Sequence, residues 1–565
     1  MKIVTMGRAS RKKKLNRTSL QNYNSESVKP YYSDLLHIKD FKDVISFIKT
    51  HAGFLFILVL ISVFIYGKSL YGEFVSDDIP VIVRNPEVYD FFLALKTFQF
   101  YTILRSLTYL IFGMYPFGFH LTSFLLHLVN IVLVLVVVSV LFGKRIAFYS
   151  SVLFTVHPVI VEPVVWISAL FYLFLAAIFF ISVLSLYLYR NTMRSFYLYL
   201  IYGLFASFFI FTRWAWSLTF VPMLLIVDQF FLSTKLSLSR LKDFVPLIFM
   251  SLVFLLPLYG ATSSRVAELQ SIQKGERSNY ILTSAYTAAN QVMLYVYPNT
   301  LTLYREGNAL TNLELSIIYT LVVLEVICIV WLYVSKPWKH PNLLTKWQYL
   351  GLVLFALVSI LPAFSPIQVA WFIAERYLYL TVIAYSVILV SVFLYYESMT
   401  NIKNYTLILV ILLSVCWGVR SHVRANDWIT RKSFWLATAR VVPRSPRVHN
   451  NLGDVYALEK DYTKAIEAFS YAIYLNPDYA EALHNLGFTY LQVGDYANAK
   501  YMFNLSLERN PNLYQSLLKL AVISSLENDY VLANSYVDRA RVFAPTDPQI
   551  DAVLKLIEQH KHRSK

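Results

Sequence analysis

The chain has 565 residues, of which 57% are hydrophobic, 16% aromatic and only 15% charged, where a soluble globular domain carries about 25% charged residues. Its formal net charge is +16, but the basic residues gather in the first 50 positions (Arg8, Arg11, Lys12, Lys13, Lys14, Arg17) and in short loops between apolar runs. That is a pattern of topology signals and anionic-lipid contact, so composition excludes a soluble enzyme and gives no support to nucleic-acid binding.

The arm over 1–50 reads as basic, cytoplasmic and, to about residue 40, partly disordered. It is not expected to act as a cleavable signal peptide, because about 50 polar residues precede the first apolar run. Spanning candidates then follow at 54–70, 119–142, 146–160, 164–189, 195–212, 214–232, 243–260, 313–335, 347–363, 376–396 and 404–421, eleven in all and each near the length that crosses a hydrocarbon core of about 30 Å. With the arm inside, alternate loops carry Lys144 and Arg145, then Arg190 and Arg194, then Lys235, Arg240 and Lys242, then Lys336, Lys339 and Lys346, then Lys403, as the positive-inside rule requires. Loops 71–118 and 261–312 and everything after residue 422 then lie outside. Cys328 and Cys416 sit inside apolar runs and suggest neither a disulfide framework nor a metal site.

The first outer loop opens with Phe74-Val75-Ser76-Asp77-Asp78-Ile79-Pro80, two adjacent carboxylates where an apolar helix ends. Residues 86–118 follow with aromatic and polar side chains at helical spacing, as amphipathic segments along an interface show. Further on, His157 and Glu162 bracket Pro158 and Pro163, and paired prolines free backbone polar groups that only a protein-lined or wet site tolerates at membrane depth. Arg213 stands between two apolar runs, where a charge is costly and usually functional. Glu375-Arg376-Tyr377 opens the tenth run.

After residue 422 charge, Asn and Asp return and a period appears. Leu452-Gly453, Tyr456, Ala465, Phe469, Ala472 and Pro477 recur 34 residues later as Leu486-Gly487, Tyr490, Ala499, Phe503, Ser506 and Pro511, with a degraded third copy. This is the tetratricopeptide pattern, with units at 446–479, 480–513 and 514–547, a capping helix near 548–560, and a connecting partial repeat over 423–445. The fold class is all-α: a polytopic transmembrane bundle over 51–422 followed by an α-solenoid over 446–565.

The set GEFVSDDIPVIVRNPEV, MYPFGFHLTSFLLHLVN, LFTVHPVIVEPVVWIS, AERYLYL and then tetratricopeptide repeats keeps one order. It resembles the transmembrane and tetratricopeptide repeat-containing O-mannosyltransferases and their bacterial relatives, which are type-C glycosyltransferases. The resemblance implies a polyprenyl-phosphate-linked sugar as donor, a protein acceptor and an essential acidic pair in the first outer loop. Two departures bear on donor and acceptor preference. Ala169-Leu170-Phe171-Tyr172 replaces a Gly-Arg and a later acidic residue, and Thr212-Arg213-Trp214 replaces Ser-Lys-Glu.

Transfer from a lipid phosphate needs a base for the acceptor hydroxyl and positive charge for the leaving phosphate. Asp77 is the expected base, with Asp78 holding geometry, raising its neighbour's pKa or sharing a divalent cation with it. Arg105, Arg213, Glu375, Arg376 and Tyr377 are the donor-phosphate candidates, since Arg makes bidentate phosphate contacts. His157 and Glu162 are expected to line the donor pocket. In the tail, Asn451 and Asn485 lie one repeat apart on the groove helix, placed to bind the backbone of an exported acceptor protein. The reading is a multi-pass membrane glycosyltransferase acting on Ser/Thr of exported proteins, in a bacterial inner membrane or, in a eukaryote, the endoplasmic reticulum with a luminal tail. Glycan or lipid acceptors, and a non-enzymatic envelope scaffold, are the alternatives.

Overall fold

The computed structural model describes residues 34–97, 99–212, 219–233, 236–253, 290–298, 301–303, 320, 344–361, 374–400 and 402–563. Arg213, Trp214, Cys328, loop 261–312 apart from 290–298 and 301–303, and nearly all of the 313–335 run lie outside them. The described residues contain helices and turns and no strand. They divide into two compact units, one running to Ile429 and the other over Thr430–Lys565.

The first unit is a bundle built around Pro116–Phe142 and Ile167–Thr192, whose most apolar windows have mean hydropathies of 2.9 and 2.6. Thr381–Met399 and Tyr405–Asp427 join them as the only other single helices long and apolar enough to cross a membrane among the described residues, giving four, or up to six if two bent pairs each count as one span. Eleven spans are therefore not what the described residues hold. The 347–363 run forms a helix only over Lys346–Ser359, 14 residues, which at 1.5 Å per residue falls short of a 30 Å core. The 146–160 run is broken by 57° between Lys144–Val156 and Pro158–Val165. His157, forced to extended backbone (φ −68°, ψ 128°) by the following proline, ends one helix, and its Nδ1 caps the next by accepting from Val159 N at 3.2 Å.

The arm expected over 1–50 ends in a helix. Residues Phe41–Thr50 form an amphipathic helix capped by the Asp40 carboxylate, which accepts from the Lys42 and Asp43 amides. It meets Ala52–Tyr66 at 73°.

In the second unit the first helix of each pair starts at Pro446, Ala480 or Tyr514, and a last helix starts at Pro548. The second helices are capped by Asp461, Asp495 and Asp529, each accepting from the amide three residues on. The Leu-Gly pairs have a steric cause: a β-carbon on Gly453 would sit 2.6 Å from the Phe469 ring, and one on Gly487 3.0 Å from Phe503. The small residue is what lets the paired helices touch. The expected partial repeat at 423–445 is a single helix, Arg431–Val441. Its first residues belong elsewhere, because the last long helix of the first unit runs on to Asp427.

Candidate functional site

The acidic loop is fixed from both sides and open in the middle. Phe74 and Ile82 are buried in an apolar cluster with Val88, Phe119 and Ile167, while Val75 is fully buried beside them. Between these anchors Ser76 takes a left-handed backbone (φ 52°), a conformation that costs a residue with a β-carbon about 1–2 kcal/mol. The two carboxylates then diverge. Asp77 is exposed, its nearest polar partner the Ser76 hydroxyl, which donates at 3.4 Å.

Asp78 is wholly buried. Its Oδ2 accepts from Val75 N at 3.2 Å, and its Oδ1 accepts from both the amide and the hydroxyl of Ser168, at 2.9 and 2.6 Å. Ser168 ends the proline-broken segment 157–168, ninety residues away in sequence. Burial pushes the Asp78 carboxyl up to about 7, and the Ser168 and Val75 donors with the Arg105 charge offset that only in part. A carboxyl near 4 in the unfolded chain and near 7 in the folded one makes the native state bind its proton more tightly. Stability from this group is therefore highest at low pH, falls as pH rises from about 4 to 7, and is level above that. The unfolding midpoint of the wild type relative to Asp78→Asn is expected to fall between pH 5 and pH 7.5. A difference that does not change with pH would contradict this.

Arg105 is the second buried charge, 4% exposed. Its Nη2 donates to the Ser168 carbonyl at 3.4 Å, and its guanidinium lies 5.1 Å from the Tyr101 ring. Its Nε has no partner, and no carboxylate lies within ion-pair distance of it among the described residues. Burial pulls its pKa down and the Asp78 charge opposes that. Within the five residues before it, Phe100, Tyr101 and Leu104 face Leu170, Phe171 and Phe174 across a narrow apolar cleft, with the Phe100 and Phe174 rings stacked at 4.2 Å.

The remaining candidates form a buried ion-pair network. Arg376 Nη1 donates to Glu162 Oε1 at 2.6 Å, and its guanidinium lies 5.1 Å from the Trp166 ring and 5.0 Å from Tyr377. Glu375 turns the other way and pairs with Arg424, so the adjacent Glu375 and Arg376 are not partners of each other. Tyr172, where the resemblance expects polar chemistry, stands 6.1 Å from Tyr377 ring to ring. His157 does not face Glu162. Its Nε2 donates to the Tyr295 carbonyl at 3.1 Å, and its ring stacks on Tyr295 and meets Trp417. It is a packed core histidine in this arrangement.

The structure thus brings Asp78, Arg105 and Ser168 together and ties Glu162 to Arg376 on the same short segment. Arg213 lies outside the described residues. Asp77 and Asp78 by themselves do not fit a dedicated cation site. Every oxygen of Asp78 already accepts from protein donors, which leaves one free carboxylate where Mg²⁺ or Ca²⁺ takes six or more oxygens. Among the described residues no group of three or more His, Cys, Asp and Glu side chains is arranged to hold a metal.

In the tail, the two asparagines do not form an open ladder. Asn451 Nδ2 donates to Arg447 O of its own helix at 2.7 Å, and Asn485 Nδ2 donates to Asn450 Oδ1 at 3.1 Å. The reason is register, since Asn485 reaches the residue before its repeat equivalent. The groove helices also carry Lys519 over the Phe488 ring at 4.8 Å, and His484 bonded to the Ser516 hydroxyl at 2.8 Å.

Sequence reasoning missed Ser168, Trp166 and Arg424. Arg424 carried a usable signal, because a charge inside an apolar helix has a partner by default. Ser168 carried none beyond its place next to a proline-broken turn.

Comparison with known proteins bears on the same segments. Residues 453–494 match the family described as TPR repeat, and 480–513 match Tetratricopeptide repeat. The chain is 25% identical over 503 residues to Protein O-mannosyl-transferase TMTC1 of Homo sapiens, covering 77% of this chain and 56% of that one. It is 22% identical over 463 residues to Protein O-mannosyl-transferase TMTC3 of Mus musculus, covering 73% and 50%. The chain therefore spans about half the length of these curated relatives. Among solved structures, yeast Tom70 aligns over 74% of this chain and 93% of its own at 12% identity, with a TM-score of 0.23.

Proposed function

We propose that this membrane protein is a glycosyltransferase that moves a sugar, with mannose the first candidate, from a polyprenyl phosphate to a Ser or Thr hydroxyl of an exported protein. The observation that carries the donor half is Arg105. A buried guanidinium with no ion-pair partner among the described residues is costly, and here it stands beside an apolar cleft. A lipid phosphate satisfies both features at once: its oxygens meet Nε and the guanidinium fork, and its first isoprene units lie against the apolar side chains of Tyr101, Leu104 and Phe171. The names of the relatives, protein O-mannosyl-transferases, support the transfer of mannose to protein.

The chemistry divides between the two carboxylates. The exposed Asp77 accepts the proton of the acceptor hydroxyl as that oxygen attacks the anomeric carbon. The bond from that carbon to the phosphate oxygen breaks, and its electron pair leaves on the polyprenyl phosphate, whose charge Arg105 stabilises. One displacement inverts the anomeric centre. Asp78, whose carboxyl burial pushes up to about 7, carries less negative charge beside the departing phosphate than an ordinary aspartate and fixes the loop through Ser168. The repeats are protein-interaction elements, and we assign them recruitment of the acceptor.

Arg105→Gln is expected to raise the donor KM for radiolabelled polyprenyl-phosphate mannose by about tenfold to a hundredfold, the loss of a charged hydrogen bond worth about 1.5–3 kcal/mol. Arg105→Lys, which keeps charge without the fork, is expected to fall between. An unchanged donor KM in both variants would remove Arg105 from the site.

A further inference from the structure

The last apolar helix, Tyr405–Asp427, ends among the elements of the acidic site. Six successive contacts mark that end. Arg420 Nε donates to the Pro298 carbonyl at 3.2 Å, Ser421 Oγ to the Val156 carbonyl at 2.6 Å, and the His422 ring stacks on Phe64 at 4.9 Å. Arg424, with no solvent exposure, closes a fork on Glu375: Nη2 to Oε1 at 2.8 Å and Nε to Oε2 at 3.3 Å. Trp428 lies 6.1 Å from Trp166 ring to ring, with the Arg424 guanidinium 5.3 Å from its centroid. Finally the Ile429 carbonyl accepts the Glu73 amide at 2.8 Å, four residues before Asp77.

Gly72 eases that last contact. A β-carbon there would lie 3.1 Å from the Ser69 carbonyl oxygen and 3.3 Å from that of Ile429, tight enough to push the two stretches of chain apart by a few tenths of an ångström. The fork on Glu375 has its own consequence. Glu375 and Arg376 are sequence neighbours in one short turn, and a buried carboxylate released there would compete for the Arg376 guanidinium. With Arg424 holding both oxygens of Glu375, Arg376 stays with Glu162, on the segment whose end, Ser168, holds Asp78.

We propose that residues 424–429 are the positioning element of the acidic loop and that Arg424 is its positioning residue, an inference that rests on the transferase reading of Asp77. Two routes lead from this helix end to the loop: the Ile429–Glu73 backbone bond, and the Arg424–Glu375, Arg376–Glu162, Ser168–Asp78 series. The next residue, Thr430, begins the unit that holds the repeats. The loop that carries the base is thereby anchored to the stretch of chain that leads into the acceptor-recruiting tail.

The test uses the full-length protein in detergent with radiolabelled polyprenyl-phosphate mannose and a mixture of secreted proteins. The variants are Arg424→Lys and the double change Glu375→Gln with Arg424→Gln, which replaces both buried charges by amides and so leaves neither unpaired. Hydrogen exchange read by mass spectrometry is measured over 73–80 and over 116–142 in each. In the double variant, exchange over 73–80 is expected to rise at least tenfold with 116–142 unchanged. The value of kcat is expected to fall by about tenfold to a hundredfold, as a misplacement near 1 Å costs, with donor KM within about twofold of wild type. Arg424→Lys is expected to recover part of both. Unchanged exchange over 73–80 overturns the proposal whatever the activity, and so does faster exchange with full kcat. If the wild type transfers no sugar, the transferase reading fails, and the exchange result alone decides whether 424–429 holds the loop.

Discussion

Asp77→Asn is expected to lower sugar transfer by about 10²–10⁴-fold, the contribution of a positioned general base, with donor KM little changed. The size follows from the division of labour in the loop. Asp78 cannot replace its neighbour, because both its oxygens are taken by Ser168 and Val75 and its side chain has no access to solvent. Asp77 is exposed and nearly unengaged, so the amide changes basicity without removing a structural contact. The unfolding midpoint of the variant is therefore expected to match the wild type within a degree or two. Purified wild type and variant, given radiolabelled polyprenyl-phosphate mannose and a periplasmic or secretory extract, provide the comparison. Equal labelling in the two would remove Asp77 as the base and leave a non-catalytic membrane scaffold as the better description.

The second large effect concerns stability. Glu162→Gln is expected to destabilise the protein by about 3–5 kcal/mol, the cost of leaving one member of a buried ion pair without its partner. The Glu162 side chain is fully buried and that of Arg376 is 8% exposed, so water cannot take over the lost contact. The Trp166 and Tyr377 rings beside the guanidinium soften the loss by cation–π attraction of about 2 kcal/mol at most. A control lies in the repeats, where Lys432 and Glu459 form a pair with side chains 42% and 43% exposed. Glu459→Gln is expected to change stability by less than about 1 kcal/mol. Thermal or denaturant unfolding in one detergent reads both, and equal effects would mean that the buried pair is not what holds Pro158–Val165 to the turn at Glu375.

The parts of the molecule legible in the sequence are those set by short-range rules. A 34-residue period appears because Gly453 and Gly487 must admit the rings of Phe469 and Phe503, a constraint that repeats with the helix pair. The acidic loop was legible from its place after the first apolar helix. The contrast between its two aspartates was not, since that depends on Ser168, which only the folded chain brings near. The same holds for Arg376 and Glu162, 214 residues apart, and for Glu375, whose partner Arg424 lies on the last long helix. The described residues hold four single spans, or up to six with the bent pairs, against eleven apolar runs, some of which lie wholly or partly outside them. Apolar composition does not fix helix length, and the break at His157-Pro158 and the short helix at Lys346–Ser359 show how local backbone rules cut an apolar run. The contacts of the tail asparagines were not legible either, since Asn485 bonds to Asn450 rather than to its repeat equivalent, a shift of one residue in register.

In the proposed transferase a lipid phosphate seats at Arg105 with its isoprenoid against the adjacent apolar side chains. A polyprenyl-phosphate mannose carrying a photoreactive group on its first isoprene unit, bound to the full-length protein and irradiated, tests this without requiring turnover. Label is expected in peptides containing Phe100–Leu104 and Leu170–Phe174, reduced at least tenfold by excess unlabelled polyprenyl phosphate and by Arg105→Gln. Label confined to the exposed apolar face of Tyr405–Asp427, at Ile411, Leu412 and Val415, and indifferent to Arg105 would contradict it.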